Sequence, residues 1–92
     1  MDRNLRYPVQ MIFVTSTRGD ITPLKFRYED KEHQIITVKV DEVRAHKEMT
    51  IGPGGSVIFT CASTIFGMKI IYDLRYEIGT HKWILSGHRD PL

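Results

Sequence analysis

The run KIIYDLRYEIG, residues 69–79, constrains the fold of this chain more than any other stretch. Ile70, Tyr72, Leu74, Tyr76 and Ile78 alternate with Lys69, Ile71, Asp73, Arg75 and Glu77. Successive side chains of a β-strand point to opposite faces, so this alternation predicts a strand with one face in a core and the other toward water. TPLKFRYED repeats the design, with Leu24, Phe26 and Tyr28 on one face and Lys25, Arg27 and Glu29 on the other. IITVKVD does so again through Ile36, Val38 and Val40. Val9 to Thr15 and Val57 to Thr64 are apolar on both faces, which predicts strands that are covered twice or lie mid-sheet. HKWIL adds a sixth strand carrying Trp83 and Leu85.

The connections are short and hold turn residues, as at Arg18, Gly19 and Asp20, at Phe66, Gly67 and Met68, and at Gly79 and Thr80. Short connections favour antiparallel neighbours over crossovers. DEVRAHKEMT admits two readings. Val43, His46 and Met49 have helical spacing among good helix formers, which suits a short helical turn near residues 42–49. Alternatively Val43 continues the third strand past a bulge at Asp41 and Glu42, and a loop follows; this reading is preferred. The expected fold is all-β, with about six antiparallel strands in a small barrel or a twisted meander whose ends approach each other, because closure removes exposed edges.

Ninety-two residues, 41% of them hydrophobic, suffice for one modest core, so residues 1–92 are expected as a single domain with disordered ends over 1–7 and 86–92. The formal charge of +2, with 13 basic residues interleaved among 11 acids, permits a nucleic-acid partner without requiring one. A single cysteine, Cys61, excludes an intramolecular disulfide and suits a reducing compartment. The longest early apolar run, Met11 to Val14, is too short for a membrane span or a signal segment, and a cytoplasmic protein is expected.

Several landmarks recur together: Gly19, Ile21, Pro23, Leu24 and Phe26; VDEV at Val40 to Val43; FTC at Phe59 to Cys61; then YDLRYE and KWIL. With these the stretch Gly19 to Leu85 resembles a group of small bacterial proteins of unknown function. The shared positions are mainly turns and core residues, so the resemblance implies a fold and carries no catalytic residues.

The glycine-rich IGPGG, residues 51–55, raises the question of a phosphate cradle. A P-loop needs Lys and Ser or Thr after its last glycine and a helix behind them; here a strand follows, and the loop reads as a connection. Arg18, Gly19 and Asp20 spell an adhesion tripeptide but read as a hairpin turn. Asp73 and Glu77 lie about 13 Å apart along one strand, beyond the roughly 5–9.5 Å of paired catalytic carboxylates, with Arg75 between them. They read as a charged ladder. His33, His46, His81, His88 and Cys61 lack the local pairing that fixes two zinc ligands, and nothing near Cys61 in sequence activates its thiol.

No catalytic residue, metal or cofactor emerges, and the chain is expected to be a non-enzymatic interaction or accessory module. Ile35, Ile58, Ile71 and Ile84 project outward if each strand keeps its parity, forming an apolar patch that a protein partner or a second copy would bury. The alternative is a single-strand nucleic-acid binder using Arg27, Tyr28, Arg75 and Tyr76, because aromatic side chains on a sheet can stack bases beside cations. A small-ligand or metal protein built on the histidines and Cys61 is the third possibility.

Overall fold

The computed structural model of the chain describes residues 7–89 and holds seven antiparallel strands in one sheet. They are β1 (Tyr7–Thr15), β2 (Ile21–Glu29), β3 (Ile35–Lys39), β4 (Glu42–Met49), β5 (Ser56–Ile65), β6 (Met68–Glu77) and β7 (Lys82–Arg89). Their spatial order is β3-β2-β1-β7-β6-β5-β4. The all-β class is as expected. The strand count is not, because residues 42–49 form neither a helical turn nor a loop. They pair with β5 from Glu42 opposite Ala62 to Met49 opposite Ser56. The helix-forming composition is overridden by that ladder, and a register shift between Val43 and Ala45 leaves Arg44 as an extra residue, which breaks the alternation that marks a strand.

The small barrel does not form either. β3 and β4 are the two edges of the sheet and do not pair with each other, although only Val40 and Asp41 separate them. The chain runs on instead of turning back. Val40 N–H donates to Leu24 O on β2 (2.9 Å), while Asp41 N–H already donates to Ala62 O on β5 (3.1 Å). The Asp41 carboxylate accepts from Thr64 N–H (2.9 Å), and Ser63 Oγ donates to Lys39 O (2.6 Å). One extended segment thus leaves the edge of β2 and lands on the edge of β5, curling the sheet without closing it.

β1 also divides its partners. Tyr7 to Val9 pair with β7, and Gln10 to Thr15 pair with β2. The curl places Phe26 of β2 against Tyr72 of β6, with ring centroids 5.6 Å apart. Around them Val38, Phe59, Cys61, Leu74, Tyr76 and Trp83 complete the buried cluster. The predicted inward set of β3 therefore holds, and that of β6 holds for Ile70, Tyr72, Leu74 and Tyr76, whereas Ile78 is exposed beyond the strand's end and Ile71, expected outside, is buried. In β2 they hold for Phe26 and Tyr28, but Leu24 is exposed and Pro23 is buried in its stead. Ile12 pairs with Lys25 and Phe13 with Pro23, which makes Leu24 the extra residue of a bulge and turns it outward.

The IGPGG loop is a clasp between two hairpins. Its glycines 52, 54 and 55 have positive φ, and the loop accepts Ile78 N–H at Gly55 O (3.0 Å) and Gly79 N–H at Pro53 O (2.7 Å). Arg18, Gly19 and Asp20 form the expected turn: Gly19 has φ +91°, and the Ser16 hydroxyl accepts the N–H groups of Arg18 and Asp20. Tyr7 opens β1 and residues 86–89 continue β7. The remaining parts of those ends, 1–6 and 90–92, lie outside the described residues. No helix among the described residues is long and apolar enough to cross a membrane.

Candidate functional site

The β5–β6 hairpin is built from two ten-residue strands that pair along their whole length, from Ser56 opposite Glu77 to Ile65 opposite Met68. Such a register leaves only Phe66 and Gly67 for the turn. Both have positive φ, 51° and 79°, the pattern of the tight hairpin turn that normally holds Asn-Gly. A bulky side chain at the first of these positions is strained by about 1–2 kcal/mol. Phe66 is nevertheless 89% exposed, the most exposed large apolar side chain among the described residues, and Met68 beside it is 55% exposed. Burial of the ring therefore does nothing to offset the strain of its backbone.

A second feature follows from the open side of the sheet. β3 covers the edge of β2 only from Lys25 to Glu29. With Leu24 O held by Val40 N–H, Ile21 to Pro23 are left without a strand neighbour on that side, and β4, the opposite edge, faces them. Between them lies a cleft of about 390 Å³. Its walls include Ile21, Pro23, Val43 and Phe59, and its polar groups include Asp20, His46 and Glu48. The bulge at Arg44 puts His46 opposite Phe59 and Glu48 opposite Val57 on the inner face, whereas unbroken parity would have put them outside.

The expected apolar patch is not one surface. Ile58 and Ile84 lie on either side of Arg75 in a single cross-strand row and are half-buried. Ile71 is only 5% exposed. Ile35 is exposed, but on the edge strand β3 opposite Glu29. The four expected nucleic-acid contacts are also divided. Tyr28 and Tyr76 face inward, Tyr28 against the rings of Tyr7 and Phe26, Tyr76 against Phe13 and Trp83. Burial, together with Tyr7 and Asp30, pushes the Tyr28 hydroxyl pKa up. Arg75 lies outside but is largely covered, and its Nη2 donates to Glu77 at 3.0 Å. Arg27 is exposed on the outer face of β2, where its Nε donates to Gln10.

Around Arg27 a basic surface does appear. Lys25 lies directly opposite Lys39, with Arg27 opposite Thr37 on the same face. Like charges directly opposite destabilise a sheet. Gln10, Ile12 and Thr37 help to line the shallow groove beside them.

Other chemistry in the sequence is spent on structure. Cys61 is fully buried, and burial, aided by Asp73, pushes its thiol up to about 12. That opposes the thiolate a nucleophile needs. His81 accepts or donates at Tyr76 OH (2.7 Å). The Tyr72 hydroxyl, also pushed up by burial, shares a 2.6 Å hydrogen bond with Ser63 Oγ. Among the described residues no three His, Cys, Asp or Glu side chains gather to hold a metal ion. Comparison of the chain with protein-family models, curated proteins and solved structures finds no match.

Proposed function

We propose that this chain is a non-enzymatic protein-interaction module whose contact element is the tip of the β5–β6 hairpin. The observation that carries this reading is Phe66, exposed and held at positive φ where Asn or Gly would be less strained. Exposed aromatic anchors are the side chains that dominate protein interfaces once a partner desolvates them. The test replaces Phe66 with a photo-crosslinking phenylalanine derivative in cells, with the same substitution at exposed Lys31 in the β2–β3 turn as control. Discrete protein adducts at position 66 and none at 31 are expected. Equal labelling at both positions, or none at 66, would overturn the reading.

The pairing of Lys25 with Lys39 beside Arg27 favours a second reading, an anionic partner on the outer face of β2 and β3. Because the rings of Tyr28 and Tyr76 point inward, binding of a nucleic acid there rests on phosphate contacts alone. Three cations predict a slope of about −2 for log affinity against log salt on single-stranded DNA. Fluorescence anisotropy at several salt concentrations measures it, and no binding at low salt removes this reading.

A further inference from the structure

We infer that the cleft between β2 and β4 is the receptor for the β5–β6 tip of a second copy, so that the chain self-associates head to tail. The inference rests on the reading of Phe66 as a contact residue and names its partner. Three observations carry it. The first is chemical match: the tip presents Phe66 and Met68 followed by Lys69, and the cleft offers half-buried Ile21, Val43 and Val57 over the buried Pro23 and Phe59, with exposed Asp20, His46 and Glu48 as its polar groups. An apolar knob with a cation behind it meets an apolar wall with acids beside it.

The second observation is backbone. Ile21 to Pro23 of β2 and Val43, His46 and Glu48 of β4 border the cleft, and neither stretch has a strand neighbour on that side. Such edges accept contacts from an inserted segment. Charged positions on β4, Arg44, Lys47 and Glu48 among them, disfavour plain edge-to-edge stacking, so entry requires a shaped element.

The third observation is placement. The tip residue Phe66 follows β5, and the cleft residues Phe59 and Val57 lie seven and nine residues back along that same strand, roughly 23–30 Å away at about 3.3 Å per residue. A tip therefore cannot reach the cleft of its own molecule. Contact between different surfaces of two copies is heterologous and builds open chains or rings rather than a closed two-fold dimer.

Sedimentation equilibrium on the purified full chain tests this with three substitutions. Phe66→Asn removes the knob and relieves the turn, so folding is retained. His46→Trp fills the cleft from an exposed inner-face position opposite Phe59, and Glu48→Lys reverses its charge from another. The unsubstituted protein is expected to grow beyond dimer as concentration rises. Phe66→Asn and His46→Trp should each stay monomeric, and Glu48→Lys should associate at least tenfold more weakly at low salt. Mixing Phe66→Asn with His46→Trp leaves one working tip and one working cleft, and the expected product is a 1:1 dimer that grows no further.

A native chain that stays monomeric, or a mixture that stays monomeric beside an associating native chain, would overturn the inference. So would association unaffected by Phe66→Asn. A monomeric native chain combined with discrete crosslinks from position 66 to another protein ends self-association while leaving the interaction module standing. Absence of any such crosslink ends both.

Discussion

Phe66 and Cys61 show how the same sheet uses opposite surroundings for two residues. Phe66 is left in water on a strained backbone, whereas Cys61 is sealed under the sheet with its thiol donating to Phe59 O at 3.7 Å. The fold holds the Cys61 proton more tightly than the unfolded chain does. Its pKa rises from 9.0 to about 12, so its contribution to stability is complete below pH 9 and is lost as pH climbs through that interval. Above pH 9 stability is expected to fall by up to about 1.4 kcal/mol per pH unit from this group. Urea unfolding midpoints at pH 7.5, 9 and 10 check it. Cys61→Ala should flatten the slope, and an unchanged slope would show that another group, such as Tyr72, carries the effect. The burial of Cys61 was legible in an apolar strand. The exposure of Phe66 was not, because a residue between two strands reads only as a turn; the signal was its own bulk in a place that favours Asn or Gly.

At the level of elements, period-two alternation located three strands because one-sided burial leaves that mark, and apolar β-forming runs located three more. It failed where an extra residue shifts parity. Leu24 in β2 and Arg44 in β4 both follow this pattern, and each turns neighbouring side chains to the unexpected face. The second shift hid an entire strand and brought His46 and Glu48 into the cleft. The IGPGG loop was legible as a connection, but its role as a clasp depends on β6 and β7, which the sequence does not place beside it. A Cβ on Gly79 would lie 2.4 Å from Pro53 O, a clash with backbone that cannot swing aside. Gly79→Ala is expected to cost about 1–3 kcal/mol in chemical denaturation, as overpacking does. A loss below 0.5 kcal/mol, on the order of a surface change, would mean the clasp yields without cost.

For the molecule as a whole, what the sequence withheld is pairing. Six of the seven strands were visible, yet nothing in them says that β3 and β4 part at Val40 and Asp41 and join different neighbours. That parting leaves the sheet open, keeps Ile35 on an edge away from Ile58 and Ile84, and creates the cleft. The tip and the cleft are thus products of the same topology, set apart along β5. The most direct measurement maps, by mass spectrometry, where a photo-crosslinker at position 66 of the purified protein attaches. Tip-to-cleft contact predicts adducts on peptides containing Asp20 to Pro23 or Val43 to Glu48 of a second copy. Adducts scattered over the outer face, or none between copies, would contradict it.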